Sequence, residues 1–164
     1  MTTIREFGFD DLLRTSHIDD LSEFTPTVPM AQYSKSSLMP YLVDSPDQCF
    51  LAEGPGNRIM GCVFGKVVER SKEETKSKHG VIVGIYVDGD YRRQKVASKL
   101  MQKMDEVYHD KRVDSMEVTV RESNVRALRM CQKFGYERVD RIPYLFTKDD
   151  AEAEAGIRMV KTMN

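Results

Sequence analysis

The stretch from Gly80 to Leu100, GVIVGIYVDGDYRRQKVASKL, decides the fold. Its first eight residues, Gly80 to Val87, are nearly all apolar. An apolar run of that length, without polar alternation, marks a strand covered on both faces. Asp88-Gly89-Asp90 turns the chain. Beyond the turn, Val96, Leu100, Met104 and Val107 fall on one stripe at helical spacing. A buried strand, a short turn and an amphipathic helix therefore follow one another.

That junction is a natural anion site. The first N–H groups of a helix have no partner inside it, and the helix dipole adds partial positive charge there. The backbone from Gln94 to Ser98 can hold a pyrophosphate without a metal, and Arg92 and Arg93 add charge beside it.

On the N-terminal side, Thr3 to Phe7 reads as a short strand. Asp10 and Asp11 suit a helix N-terminus before Leu12-Leu13. Asp19 to Pro29 reads as irregular, and Ala31 to Val43 as a helix with a break at Pro40. Gln48 to Glu53 and Ile59 to Val68 form a hairpin around the turn Gly54-Pro55-Gly56-Asn57. The charged segment Glu69 to His79 reads as an exposed loop. On the C-terminal side, Ser115 to Val120 is a strand, and Asn124 to Phe134 a helix burying Ala127, Leu128, Cys131 and Phe134. Strands over Glu137 to Phe146 and Gly156 to Thr162 flank an acidic loop, Asp149 to Glu154. The order is β-α-α-β-β-β-α-β-α-β-β, one α/β domain over 1–164.

Composition agrees with a globular domain: 40% of residues are hydrophobic, 31% are charged, and the formal net charge is -1. That balance gives no electrostatic case for nucleic acid or an anionic membrane. Three cysteines without CxxC spacing point to reduced thiols and a cytoplasmic setting. The three scattered histidines have no metal-ligand spacing, so no metal is expected.

Strand, Arg-Arg-x-x-Val-Ala and helix resemble the acetyl-CoA signature of the GNAT superfamily, Gln/Arg-x-x-Gly-x-Gly/Ala. Val120-Arg121-Glu122-Ser123-Asn124-Val125-Arg126-Ala127, followed by Phe134-Gly135-Tyr136, resembles the downstream pattern of its N-terminal, ribosome-associated branch. Met1 to Phe7 with Asp10-Asp11-Leu12, Ala52 to Gly56, Ile59-Met60-Gly61 with Gly65-Lys66, and Ala97 to Met101 are similar to the NatB catalytic-subunit family. The resemblance implies a mixed, mostly antiparallel sheet of about seven strands flanked by about four helices. It implies an acetyltransferase with acetyl-CoA as cosubstrate and nascent chains beginning Met-Asp, Met-Glu, Met-Asn or Met-Gln as acceptors. It also implies a large helical-repeat auxiliary subunit that anchors the enzyme to ribosomes.

Residue by residue, the resemblance gives cofactor contacts to Ile85, Tyr86, Val87, Arg92, Arg93, Gln94, Lys95, Val96, Ala97, Ser98 and Asn124. Backbone N–H near Ile85 to Val87 is the implied oxyanion donor. Phe24, Pro26, Val81 and Val83 stand where the family reads its peptide, with other residue types there. Cys131 stands where a tyrosine often protonates the departing thiolate. Tyr144 is retained from a pair of late tyrosines, and is a candidate for substrate contact and catalysis. Lys95 replaces the signature glycine. With right-handed backbone at a helix start, a lysine fits there and weakens cofactor binding without abolishing it. Two further readings are a catalytically weak homologue that binds CoA or the auxiliary subunit, and a GNAT enzyme for a different amine.

Overall fold

A computed structural model of the chain describes residues 2–15, 22–24, 39–91, 94–148 and 151–163; the side chains of 13, 22–24, 144–148 and 151–153 fall outside that description. The elements in chain order are β1 (Thr3–Glu6), α1 (Asp11–Arg14), β2 (Ser22–Phe24), α2 (Met39–Asp44), β3 (Cys49–Glu53), β4 (Ile59–Lys72), β5 (Thr75–Val87), α3 (Val96–Asp110), β6 (Ser115–Arg121), α4 (Val125–Lys133), β7 (Glu137–Lys148) and β8 (Ala151–Thr162). Seven strands follow one path, β1-β3-β4-β5-β6-β8-β7, and β2 joins as an eighth by pairing with β5. Among the described residues, only β5 and β6 run parallel. This is the mostly antiparallel α/β architecture expected, with α1 and α2 shorter than a full three turns.

Three expectations are corrected: Asp19 to Pro29 is not irregular throughout, because Ser22–Phe24 forms β2 against β5, and two expected loops are strands. Glu69 to His79 is not a loop: β4 and β5 extend in register from Glu69↔Lys78 to Lys72↔Thr75 around a tight turn at Glu73-Glu74. The backbone ladder holds these arms, and no apolar face is needed. The acidic segment likewise pairs, with Phe146↔Glu154 and Lys148↔Ala151; Asp149 and Asp150 lie outside the described residues. Within the expected helix Ala31 to Val43, residues 39–44 are helical with Pro40 in the first turn, where its missing N–H costs nothing; residues 31–38 lie outside the description.

The sheet separates two apolar layers. On one face, Val96, Leu100, Met101, Met104 and Tyr108 of α3 pack with Ala127, Leu128 and Cys131 of α4 over Ile82, Ile85, Met116 and Val118. On the other, Phe7, Leu12 and Leu42 cover Leu51, Cys62, Phe64, Val83 and Tyr86. Short α1 is fixed by charge. Arg5 donates to both carboxylate oxygens of Asp11 at 3.0 and 2.9 Å, and to Glu53 at 2.9 Å. Burial opposes ionisation of Asp11. The Arg5 bonds and the Gly8 N–H outweigh it and hold the carboxyl below its ordinary range. Among the described residues no helix is long and apolar enough to cross a membrane.

Candidate functional site

The site forms where β5 and β6 part. Their parallel pairing runs from His79↔Ser115 to Ile82↔Val118 and stops there. The cause is a bulge in β5. Phe64 pairs with Gly84 but Gly65 pairs with Ile82, so Val83 is an extra residue. The bulge resets the alternation of faces. Ile82 and Ile85 both point to the α3 layer, while Val83 and Tyr86 point to the opposite layer. Past Ile82 the β5 edge no longer meets β6 and opens a wedge. Val81 and Val83 are buried apolar residues beside it, 4% and 0% exposed. Tyr86 lies edge-on against Phe64, with ring centroids 6.3 Å apart.

Helix α3 begins next to this wedge. Lys95 N-caps it at φ 61 and ψ 25, a left-handed backbone, and makes no side-chain capping bond. The expectation of right-handed backbone at Lys95 is therefore wrong. The signature glycine position is left-handed here, and a residue with a Cβ is strained in that region. Lys99 N–H bonds to the Lys95 carbonyl at 3.0 Å. The N–H groups of Val96, Ala97 and Ser98 precede that bond and point out of the helix end. No acidic side chain occupies the first turn. Val96, Leu100 and Met104 are at most 1% exposed, so the helix axis is locked on the sheet. Free donors, the positive end of the dipole and a fixed axis fit a diphosphate. Gln94 and Lys95 are exposed beside it, and Ser98 Oγ donates to Met130 Sδ of α4 at 3.4 Å. Arg92 and Arg93 lie outside the described residues.

Asp88, read from the sequence as part of the turn, and Arg58, which the sequence reading missed, hold the turn before α3. Asp88, only 5% exposed, donates its N–H to the Met60 carbonyl at 2.8 Å. Its carboxylate accepts the Asp90 N–H at 3.1 Å. Arg58, from the β3–β4 turn, reaches Asp88 at 3.2 Å and Asp90 at 3.7 Å. Its guanidinium also lies 5.6 Å from the centre of the Tyr91 ring. Arg58 thus neutralises two carboxylates near an anion site. No local signal could reveal this, because Arg58 is thirty positions from Asp88. Arg58→Ala should weaken binding of an anionic ligand about threefold at low salt, and less at high salt, where exposed charges are screened. Titration calorimetry at two ionic strengths checks this.

On α4, Asn124 Oδ1 accepts the Ala127 N–H at 3.2 Å, the expected N-cap. Cys131 is 0% exposed in the layer shared with α3, and burial pushes its thiol up to about 12. Burial also pushes Cys49 up to about 11 and raises Cys62 further. All three are neutral at ordinary pH, so a thiol-alkylating reagent at about pH 8 should label none of them in the folded chain and all three after denaturation. Mass spectrometry reads the count. A neutral thiol such as Cys131 can donate a proton but is no nucleophile. Phe24 lies in β2, opposite Ile85 in register, with its side chain outside the description. Pro26 is also outside it. Tyr144 lies in β7, and its side chain too falls outside the description. The structure therefore brings Ile85 to Val87, Val96 to Ser98, Asn124 and Cys131 to one end of the sheet.

Comparison with known proteins gives the same direction. The profile of the acetyltransferase (GNAT) family matches residues 12–136. The catalytic subunit of the N-terminal acetyltransferase B complex from Arabidopsis thaliana is 35% identical over 167 residues, covering 100% of this chain and 87% of that protein. N-alpha-acetyltransferase 20 from Dictyostelium discoideum is 33% identical over 140 residues, covering 83% and 73%. Among solved structures, the Chaetomium thermophilum counterpart of the Arabidopsis subunit, in complex with a bisubstrate analogue, superposes with a TM-score of 0.79 at 19% identity. That superposition covers 98% of this chain and 86% of the other.

Proposed function

Because the chain belongs to the acetyltransferase (GNAT) family, we propose that it moves acetyl from acetyl-CoA to the α-amine of protein N-termini with the acceptor preference of the NatB type. It is an acetyl-CoA-dependent N-terminal acetyltransferase. The observation that carries the cofactor reading is the start of α3, with its outward N–H groups, beside the diverging edge of β5.

Acetyl-CoA supplies an activated acyl group as a thioester. The residues of this chain bind and orient. The amides of Val96, Ala97 and Ser98 hold the diphosphate, with Arg92, Arg93, Gln94 and Lys95 around it. Backbone groups from Ile85 to Val87 hold the extended arm and offer the oxyanion donor. Asn124 contacts the same arm. The acceptor nitrogen forms a bond to the acetyl carbon as the carbon–sulfur bond breaks, and a proton passes from the amine to the departing sulfur side. A protein α-amine has a pKa of about 7.7–8.0, so much of it is already neutral near pH 7.4. Positioning then supplies most of the rate, and the demand for a general base is mild. A lysine amine at about 10.4 would need far more help. Cys131 occupies the candidate proton-donor position, but a thiol raised to about 12 is a weak acid toward a departing thiolate near the ordinary thiol value of about 8.5, so the proton lost by the amine is the main source. Phe24, Val81, Val83 and Tyr144 are the candidate acceptor contacts.

On this reading the acceptors are nascent chains beginning Met-Asp, Met-Glu, Met-Asn or Met-Gln. The enzyme works in the cytoplasm with an auxiliary subunit that brings it to the ribosome. Support comes from similarity over the whole of this chain to a NatB catalytic subunit. Calorimetric titration with acetyl-CoA should show one site per chain. Absence of binding would overturn the cofactor assignment.

A further inference from the structure

The wedge between β5 and β6 is not open along its whole length. Ile85 and Tyr86 pair with Val63 and Cys62 of β4 on one edge. The same two residues pair antiparallel with β2, as Phe24↔Ile85 and Ser22↔Tyr86. A strand has two edges, so β2 must lie on the edge that faces β6. It sits in the wedge, immediately past the last β5–β6 pair at Ile82↔Val118. This is the edge assigned above to the extended arm of the cofactor. Backbone N–H and C=O groups on one strand edge serve one partner strand at a time. Residues 22–24 and an amide-bearing arm cannot both take Ile85.

We infer that β2 is a built-in competitor for the acetyl donor: it closes the β5 edge in the unliganded chain and has to leave before the arm of acetyl-CoA is seated. The inference rests on the acetyl-CoA reading of the site and adds to it a closed state made by the chain itself. β2 pairs with Ile85 and Tyr86 of β5 and takes none of the diphosphate donors of α3, so the nucleotide half of the cofactor can dock while the edge is closed. Seating of the arm then expels Ser22–Phe24. Apparent affinity for the whole cofactor is lowered by the fraction of chains in which the edge is closed. Affinity for the nucleotide half is not. Expulsion also moves Phe24, one of the four candidate acceptor contacts, so donor loading shifts part of the acceptor-binding segment.

The test compares two ligands, CoA and the nucleotide half of CoA lacking the pantetheine arm. Hydrogen exchange on the unaltered chain reads the amides of residues 22–24. Saturating CoA should speed their exchange about tenfold, and the nucleotide half should leave it unchanged. The second arm uses Ser22→Pro, which removes an N–H from β2 and disfavours pairing. This variant should bind CoA about fivefold more tightly and the nucleotide half equally well. Unchanged exchange at 22–24 under saturating CoA would overturn the inference while leaving the cofactor reading intact. So would an equal effect of Ser22→Pro on both ligands. Failure of both ligands to bind would overturn the cofactor reading and the inference with it.

Discussion

Gly61→Ala is expected to destabilise the protein by about 3 kcal/mol, the upper range for forcing extra volume into a packed site. Gly61 pairs with Val87 across β4 and β5. A Cβ there would stand 2.6 Å from the Tyr86 carbonyl oxygen and 3.1 Å from Val96 Cγ1. The oxygen belongs to a backbone fixed by the sheet and cannot step aside. Val96 is the first residue of α3 and 1% exposed. The carbonyl contact strains the β4–β5 ladder, and the Val96 contact pushes the start of α3 off the sheet, which displaces the donors of the anion site. Thermal melting should show a loss of roughly 8 °C for a chain of this size. Acetyl-CoA binding should weaken at least tenfold in the variant at temperatures where it remains folded. A melting temperature within a degree of the parent would show that the helix start does not rest on this contact.

Lys95→Gly works in the opposite direction. Lys95 holds φ 61, where a non-glycine residue is strained by about 1 kcal/mol or more. Glycine relieves that strain but gains freedom in the unfolded chain, which offsets a part. The variant should be more stable by roughly 0.5 kcal/mol, or ~2 °C in melting temperature. Glycine also lets backbone approach a phosphate closely, so acetyl-CoA should bind about fivefold more tightly. Loss of the lysine charge opposes this weakly, because the side chain is exposed. Calorimetric titration and melting curves measure both effects. Weaker binding with greater stability would mean that the Lys95 charge, and not backbone approach, governs the anion site.

Much of this architecture is legible in the chain itself. The Gly80 to Val87 run reads as a two-sided buried strand because both apolar layers use it: Ile82 and Ile85 face one, Val83 and Tyr86 the other. Helices α3 and α4 read clearly because each buries one stripe. The arms Glu69 to Lys72 and Thr75 to Lys78 do not read as strands. They project beyond the core, so neither face selects apolar residues, and their pairing rests on backbone hydrogen bonds that any side chain permits. The acidic start of β8 is hidden for the same reason. The left-handed backbone at Lys95 had a trace in the sequence. A lysine in a motif position that calls for glycine implies a positive φ that the replacement must tolerate. Arg58, by contrast, acts through distant carboxylates that only the folded sheet brings near. Strand β2 is held by a tertiary edge created by the bulge at Val83, which no local pattern announces.

The most direct test of the account is acetyl transfer itself. The chain, co-expressed with a NatB auxiliary subunit, is offered acetyl-CoA and peptides of varied N-terminus, with CoA release and peptide mass measured together. The account predicts one acetyl group on the α-amine of Met-Asp and Met-Glu peptides, with matching CoA release, and little transfer to peptide lysines. Bound acetyl-CoA with no transfer to any peptide N-terminus would contradict it.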